Sequence, residues 1–424
     1  MREIVIVITD LYLSPAPALR DPTAFADSNS AASALPGLEQ IARFGERQEL
    51  ADGWRAWLAR WLGRSDLAQA APASVAAASV AAAANTMPAV AVAPAAFVAP
   101  TASVAPAASV APAVNQGPPP VQGVAQQSAA SAWIATPVHF AAGLTALHFD
   151  RRGILRLPRA QLEPLALDFQ RSFLDSHLSL APLDSGDFLL FQPAVPEVRT
   201  TEPARIAGAD VAAALPNGAG ATVLRRLGAE LEMWLHEHAV NRERASRNEP
   251  PISTLWLWGG GPATLSGASS SHDSASARLP VSAHVAVATP LVAPAPAPGP
   301  APASPTASDL PRAFGSDSYL TGLWRLCGSD TRPLPEQIDS AFSYAQSAVV
   351  VVEAGQGLRT NESWTLYDAL ANLDRRFIAP AVEALRRDDV DAVSILANDR
   401  RLVLNPRDHF KIWRRPRTGL AGLR

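Results

Sequence analysis

Two acidic residues stand where a sheet could bring them together. Asp10 closes the run IVIVITD (residues 4–10), and Asp399 closes AVSILAND (392–399). A short β-branched run ending in an acid reads as a buried strand that delivers a carboxylate at its C-terminal end. In open α/β sheets that edge is where ligands bind. Two such carboxylates could hold a divalent cation, Mg²⁺ or Mn²⁺, through hard oxygen ligands. Arg400 and Arg401, directly after Asp399, could hold a phosphate. Together they sketch a one-metal phosphohydrolase or phosphomutase. A second basic group lies in the C-terminal stretch, where Lys411, Arg414 and Arg415 alternate with Phe410 and Trp413. That pattern is compatible with phosphate or nucleic-acid contact.

Other chemistry-bearing patterns fail on their spacing. Gly259-Gly260-Gly261 resembles a phosphate loop, but Pro262 follows instead of a lysine and a helix start. It reads better as the end of a buried strand, TLWLW, in a turn where the backbone passes close to a neighbour. His236 and His238 are two residues apart, so on a helix they point about 200° away from each other, unlike the i, i+4 pair of a zincin. No G-x-S-x-G nucleophile elbow occurs, and Cys327 is the only cysteine. Lys411 is the only lysine. Any mechanism that needs a lysine must use it.

The elements that position these groups come in pieces. Residues 1–67 hold the first strand, a helix opening at Pro36-Gly37, and a helix with Trp54, Trp57 and Trp61 on one stripe. Residues 68–130 and 262–308 are Ala/Pro/Val/Ser tracts, read as disordered linkers because burial there cannot offset ordering entropy of about 1–2 kcal/mol per residue. Residues 131–250 alternate short β-like runs with helices and form an α+β unit. Residues 251–261 return to the main sheet as a strand and glycine turn. Residues 309–424 supply a strand at 347–355, a helix at about 362–387, the strand 392–399 and a basic tail. Strand–helix–strand order with β-branched runs predicts a mostly parallel α/β sheet flanked by helices, with an inserted α+β domain. The net charge of −3 excludes a global attraction to nucleic acid or anionic lipid. No run of about 18 strongly apolar residues suits a membrane span. With a single cysteine and only five apolar residues opening the chain before Thr9 and Asp10, a cytoplasmic protein is expected.

One block carries a resemblance. ELEMWLHEHAVNRERASRNEPPISTLWLWGGG (230–261) resembles the RpfE-type bacterial regulatory proteins, which are similar to the cofactor-independent, archaeal-type phosphoglycerate mutases. The matching residues are His238, Val240, Asn241, Arg244, Pro251, Trp256, Leu257, Trp258, Gly259 and Gly261; Ala239, Asn248 and Ser253 depart from the pattern. LPGLEQIARFG (35–45) and VVVEAGQG (350–357) are weaker echoes of the same enzymes. The resemblance implies an alkaline-phosphatase-like core with an inserted domain, and it implies two divalent metals and a hydroxyl phospho-carrier. Asp10 and Asp399 match two of the implied metal ligands. Leu11 replaces a glycine, Gly355-Gln356-Gly357-Leu358 replaces an Asp/His metal segment, Arg400 replaces a histidine, and no nucleophile segment is recognisable between 46 and 66.

The expected function is therefore a non-catalytic regulatory or interaction protein on a degenerate mutase-like scaffold. No cofactor is expected, and the partner is a protein or a small phosphorylated ligand. The alternatives are the metal-dependent phosphohydrolase using Asp10 and Asp399, and weak nucleic-acid or phosphate binding through the basic C-terminus.

Overall fold

The computed structural model describes residues 2–11, 35–86, 130–143, 146–265, 310–338, 342, 344, 346–360, 365–397 and 399–408. The greater part of each Ala/Pro tract, 87–129 and 266–309, lies outside the described residues, as do Lys411, Arg414 and Arg415.

Eleven strands are described. The first sheet takes β1 (Glu3–Ile8) and β2 (Glu46–Glu49) from the start of the chain. The second is built from β3 (Ala130–Ala142), β4 (Leu147–Ile154), β5 (Ser179–Pro182), β6 (Phe188–Pro193) and β7 (Thr254–Pro262). The chain then returns to the first sheet with β8 (Arg312–Phe314), β9 (Ala348–Val352), β10 (Ala392–Ala397) and β11 (Arg400–Leu404). The first sheet has the order β2-β11-β10-β1-β9-β8. β1 runs parallel to both β10 and β9, β8 parallel to β9, and β11 and β2 close one side antiparallel.

Every residue of β1 is buried because the sheet is covered on both faces. Side chains alternate between the two. Ile4, Ile6, Ile8, Val350 and Val352 pack toward the helix Pro36–Phe44 and the long helical segment 366–386. Val5, Val7, Val349 and Val351 pack against Trp54 and Leu58 of the helix Gly53–Trp61 and Leu320 and Trp324 of the helix Ser318–Leu326. The segment 366–386 is helical as the periodicity predicts, with one π turn at Asp374–Ile378. The cause is Pro380, which has no N–H for the Arg376 carbonyl and whose ring crowds it. That carbonyl accepts the Ile338 N–H instead, at 2.9 Å.

The second sheet is antiparallel, in the order β4-β3-β6-β5, with β7 paired to β3. This corrects the expected place of STLWLWGGG: the strand does not return to the parallel sheet but lies against β3, Trp258 opposite Ile134 and Trp256 opposite Thr136. Its alternation explains the choice. Leu255 and Leu257 enter the core under the helices Arg159–Ser172 and Ala221–His236, while Trp256 and Trp258 enter the opposite core.

A second correction concerns the first linker. Pro72–Thr86 is a helix, and Ala73, Ala76 and Ala77 in its first turns are buried. Ala73, Ala76 and Ala77 join the core under Trp256 and Trp258, whereas Val75 joins the core of the first sheet, so the helix wedges between the two sheets. The glycines make this approach feasible. A Cβ on Gly261 would come within 2.6 Å of Ala71 Cβ and Ser74 Oγ, and one on Gly322 within 2.9 Å of the Val75 carbonyl oxygen. Alanine is also the strongest helix former. Small residues on both partners let an apolar-poor segment bury itself. Among the described residues no helix is long and apolar enough to cross a membrane.

Candidate ligand-binding cleft and its arginine clasps

At the C-terminal edge of the first sheet, a cleft of about 1210 Å³ opens between that edge and the second-sheet unit. Thr9, Gly315, Val352 and Glu353 line it from the first sheet, and Arg156, Gln161, Ser185 and Arg244 from the second unit. Beside it is an inner cavity of about 20 Å³, room for roughly one water.

Asp10 reaches this inner site. Its two oxygens accept the N–H groups of Ala354 (2.5 Å) and Gly355 (2.6 Å), at the start of the short helix Ala354–Thr360. Burial first, then the neighbouring charge of Glu353, holds its carboxyl above the usual range, against the pull of those amides and of Arg359. Glu353 moves the other way. Burial would raise it, but Arg156 (2.5 Å) and Arg359 (2.6 Å) bind its carboxylate from two sides and bring it below the usual range. Arg156 also bonds to buried Asp187, whose other oxygen accepts from Ser185 Oγ at 2.7 Å. Arg156 therefore ties a residue following β9 to the second sheet.

Two more arginine–carboxylate clasps join the same units. Arg55 of the helix Gly53–Trp61 holds Glu202 through two bonds of 3.1 and 2.7 Å. Its guanidinium lies 4.5 Å from the Trp54 ring centroid and 5.0 Å from that of Trp258. Arg205 holds Asp399 through two bonds of 2.6 and 2.7 Å. Breaking one partner of such a pair where it is well buried costs about 3–5 kcal/mol.

The two aspartates singled out in the sequence share the sheet edge. Val7 pairs with Leu396, and Asp10 and Asp399 each follow three residues later. Their carboxylates diverge in use, one to backbone amides and the other to Arg205. Among the described residues no group of three or more His, Cys, Asp or Glu side chains converges as a metal site.

The arginines assigned to phosphate are placed elsewhere. Arg401 donates to Glu3 Oε1 (2.7 Å) and Ser394 Oγ (3.1 Å) and lies 4.7 Å from the Trp57 ring centroid. It neutralises a buried glutamate under the tryptophan helix. Arg400 stands in β11 opposite Ala397 and Glu49. Neither lines the cleft.

The residues of the family-like block are structural. His238 caps the helix Ala239–Ser246: its Nδ1 accepts the Val240 N–H at 3.1 Å, so Nε2 carries the proton toward Asp168 at 3.3 Å. Burial, opposed by Asp168, lowers its pKa. Asn241 clamps the chain by donating to Leu235 and Ile252 carbonyls and accepting the Ile252 N–H. Arg244 binds the Pro250 carbonyl and Gln161, and its far side lines the cleft. Trp256 donates to the Thr201 carbonyl and Trp258 to Thr136 Oγ1. Gly259, at φ +62°, sits 3.3 Å (as a Cβ position) from the Pro72 ring.

Sequence reasoning missed Arg55, Arg156, Glu202 and Arg359. It had a signal for Glu353, which follows AVVVV directly, as Asp10 follows EIVIVI one residue later, after Thr9. The partners of these groups are far away in sequence, which pattern alone does not reveal.

No known family profile matches the chain. Over 63 residues it is 40% identical to the 2,3-bisphosphoglycerate-independent phosphoglycerate mutase of Methanothrix thermoacetophila. The match covers 15% of this chain and 16% of that protein. Among solved structures, the cofactor-independent phosphoglycerate mutase from Thermoplasma acidophilum aligns with 96% of this chain and 90% of its own, at 14% identity and a TM-score of 0.30. The PH0037 protein from Pyrococcus horikoshii aligns with 95% and 87%, at 11% identity and a TM-score of 0.38. The chain is thus similar in sequence to the cofactor-independent phosphoglycerate mutases over one short segment.

Proposed function

We propose that this chain is a non-catalytic regulatory or interaction protein, of the RpfE type, on a phosphoglycerate-mutase-like and alkaline-phosphatase-like scaffold. Its cleft binds a small phosphorylated ligand without turning it over. The observation that carries this reading is the engagement of the two sequence-matched carboxylates. Both oxygens of Asp10 accept backbone amides, and both oxygens of Asp399 are held by Arg205. Guanidinium groups of Arg156 and Arg359 flank Glu353 at the same edge. Mg²⁺ or Mn²⁺ needs several free oxygen ligands, and the oxygens of Asp10, Asp399 and Glu353 are already engaged by amide and guanidinium donors. The donor set does not fit a catalytic metal pair. The same arginines favour an anion, since guanidinium groups match phosphate geometry.

The metal-dependent phosphohydrolase has one observation in its favour, the shared sheet edge of Asp10 and Asp399. A mutase and phosphatase assay with added Mn²⁺ separates the two readings. No turnover above a buffer blank is expected. Robust turnover that disappears in Asp10→Ala overturns the non-catalytic reading.

A further inference from the structure

The cleft is wide, and arginines reach it from both sides. The first-sheet side contributes Arg325, Arg332 and Arg359; the second-unit side contributes Arg152, Arg156, Arg244 and Arg247. Against these seven arginines stand five acids, so the described lining carries an excess of two positive charges. Part of that charge is already neutralised. Glu353 holds Arg156 and one edge of Arg359, and Glu249 holds Arg244.

Donors remain on both sides. Arg359 Nη1 is buried with no hydrogen-bond partner among the described groups. Arg332 is exposed, and among the described residues its side chain meets no carboxylate. Across the cleft, Arg247 has among the described residues only the exposed i, i+4 partner Glu243, a pair of the kind that contributes little. A buried guanidinium N–H without a partner stays uncompensated until something accepts its hydrogen bond.

Volume separates one anion from two. Small-ligand clefts run to about 300–1,000 Å³, and this one exceeds that range at about 1210 Å³. One phosphate on a three-carbon skeleton would engage one side and leave the other in water. Besides the charged groups, the described lining includes aliphatic and small polar side chains such as Leu157, Val352, Leu334, Ser185 and Thr321. Such a surface suits the carbons and hydroxyls of a polyol.

We propose that the cleft takes a polyol or sugar skeleton bearing two separated phosphoryl groups, one seated by Arg332 and Arg359 and the other on the Arg247 side. This rests on the reading of the cleft as a phosphorylated-ligand site and specifies its ligand. Such a ligand spans the units that the three clasps join, so it ties them together more firmly.

Calorimetric titration of the full chain at fixed ionic strength tests this, with fructose 1,6-bisphosphate, fructose 6-phosphate, inorganic phosphate and ATP as probes. The bisphosphate is expected to bind about tenfold tighter than the monophosphate, the scale of one added charge-assisted contact. Arg332→Gln and Arg247→Gln, both at exposed positions, are each expected to weaken the bisphosphate about 5- to 10-fold. Only one of them should weaken the monophosphate. Equal affinity for mono- and bisphosphate, or a bisphosphate affinity insensitive to either variant, overturns the two-phosphate inference and leaves the phosphorylated-ligand reading standing. ATP binding as tightly as the bisphosphate overturns the polyol skeleton. Failure of every probe to bind overturns the underlying reading together with the inference.

Discussion

Arg401 illustrates how a charged residue acquires a role from its depth. Glu3 lies in the central strand, with its side chain 6% exposed, and accepts from Arg401, Ser394 and Trp61. Arg401→Ala leaves a buried carboxylate without its cation. The expected loss is about 3 kcal/mol in urea unfolding. Phosphate affinity should be unchanged, and a selective loss of anion binding with unaltered stability would contradict this assignment. Asp10 and Glu353 divide similarly: burial and the charge of Glu353 hold one carboxyl above its usual range, while Arg156 and Arg359, against burial, hold the other below it.

Helices and strands show the same dependence on what approaches them. Gly322 is in the helix Ser318–Leu326, where Ala would ordinarily add about 1 kcal/mol of helix stability. Here its Cβ would meet the Val75 carbonyl at 2.9 Å. Gly322→Ala is therefore expected to destabilise by about 1–3 kcal/mol through overpacking. A gain in melting temperature would contradict the wedge. Asp374, in the π turn, accepts the Gly37 and Leu38 N–H groups at the start of the helix Pro36–Phe44. Burial, opposed by those amides, pushes its pKa up to about 6 from 3.8. A carboxyl raised in the fold adds stability as pH falls through 6, complete below 3.8 and lost again as pH rises. Relative to Asp374→Asn, the protein should gain about 1 kcal/mol between pH 7 and pH 5. Parallel stabilities at both values would contradict the assignment. The parallel strands were legible because β-branched runs are covered on both faces and announce themselves. The helix Pro72–Thr86 was not, because alanine carries little apolar area and its burial depends on Gly261 and Gly322, far away in the chain.

Across the whole molecule, the two sheets are held together by the alanine wedge and by three arginine–carboxylate clasps. Ala76 is 1% exposed within the wedge. Ala76→Asp buries an unpaired charge there and is expected to replace one cooperative unfolding transition by two, one for each unit, followed by tryptophan fluorescence. A single transition with an unchanged midpoint would show that the wedge does not couple them. The edge carrying Asp10 and Asp399 could be read from strand endings alone. The clasps could not, since Arg55–Glu202 and Arg205–Asp399 join residues more than 140 positions apart. In the proposed function the cleft binds phosphate through arginine and without metal. Its most direct test is calorimetric titration of 3-phosphoglycerate into the protein, once in EDTA and once in Mn²⁺. Equal affinity in both and no heat of turnover are expected. Binding or turnover that requires Mn²⁺ and vanishes in Asp10→Ala would contradict it.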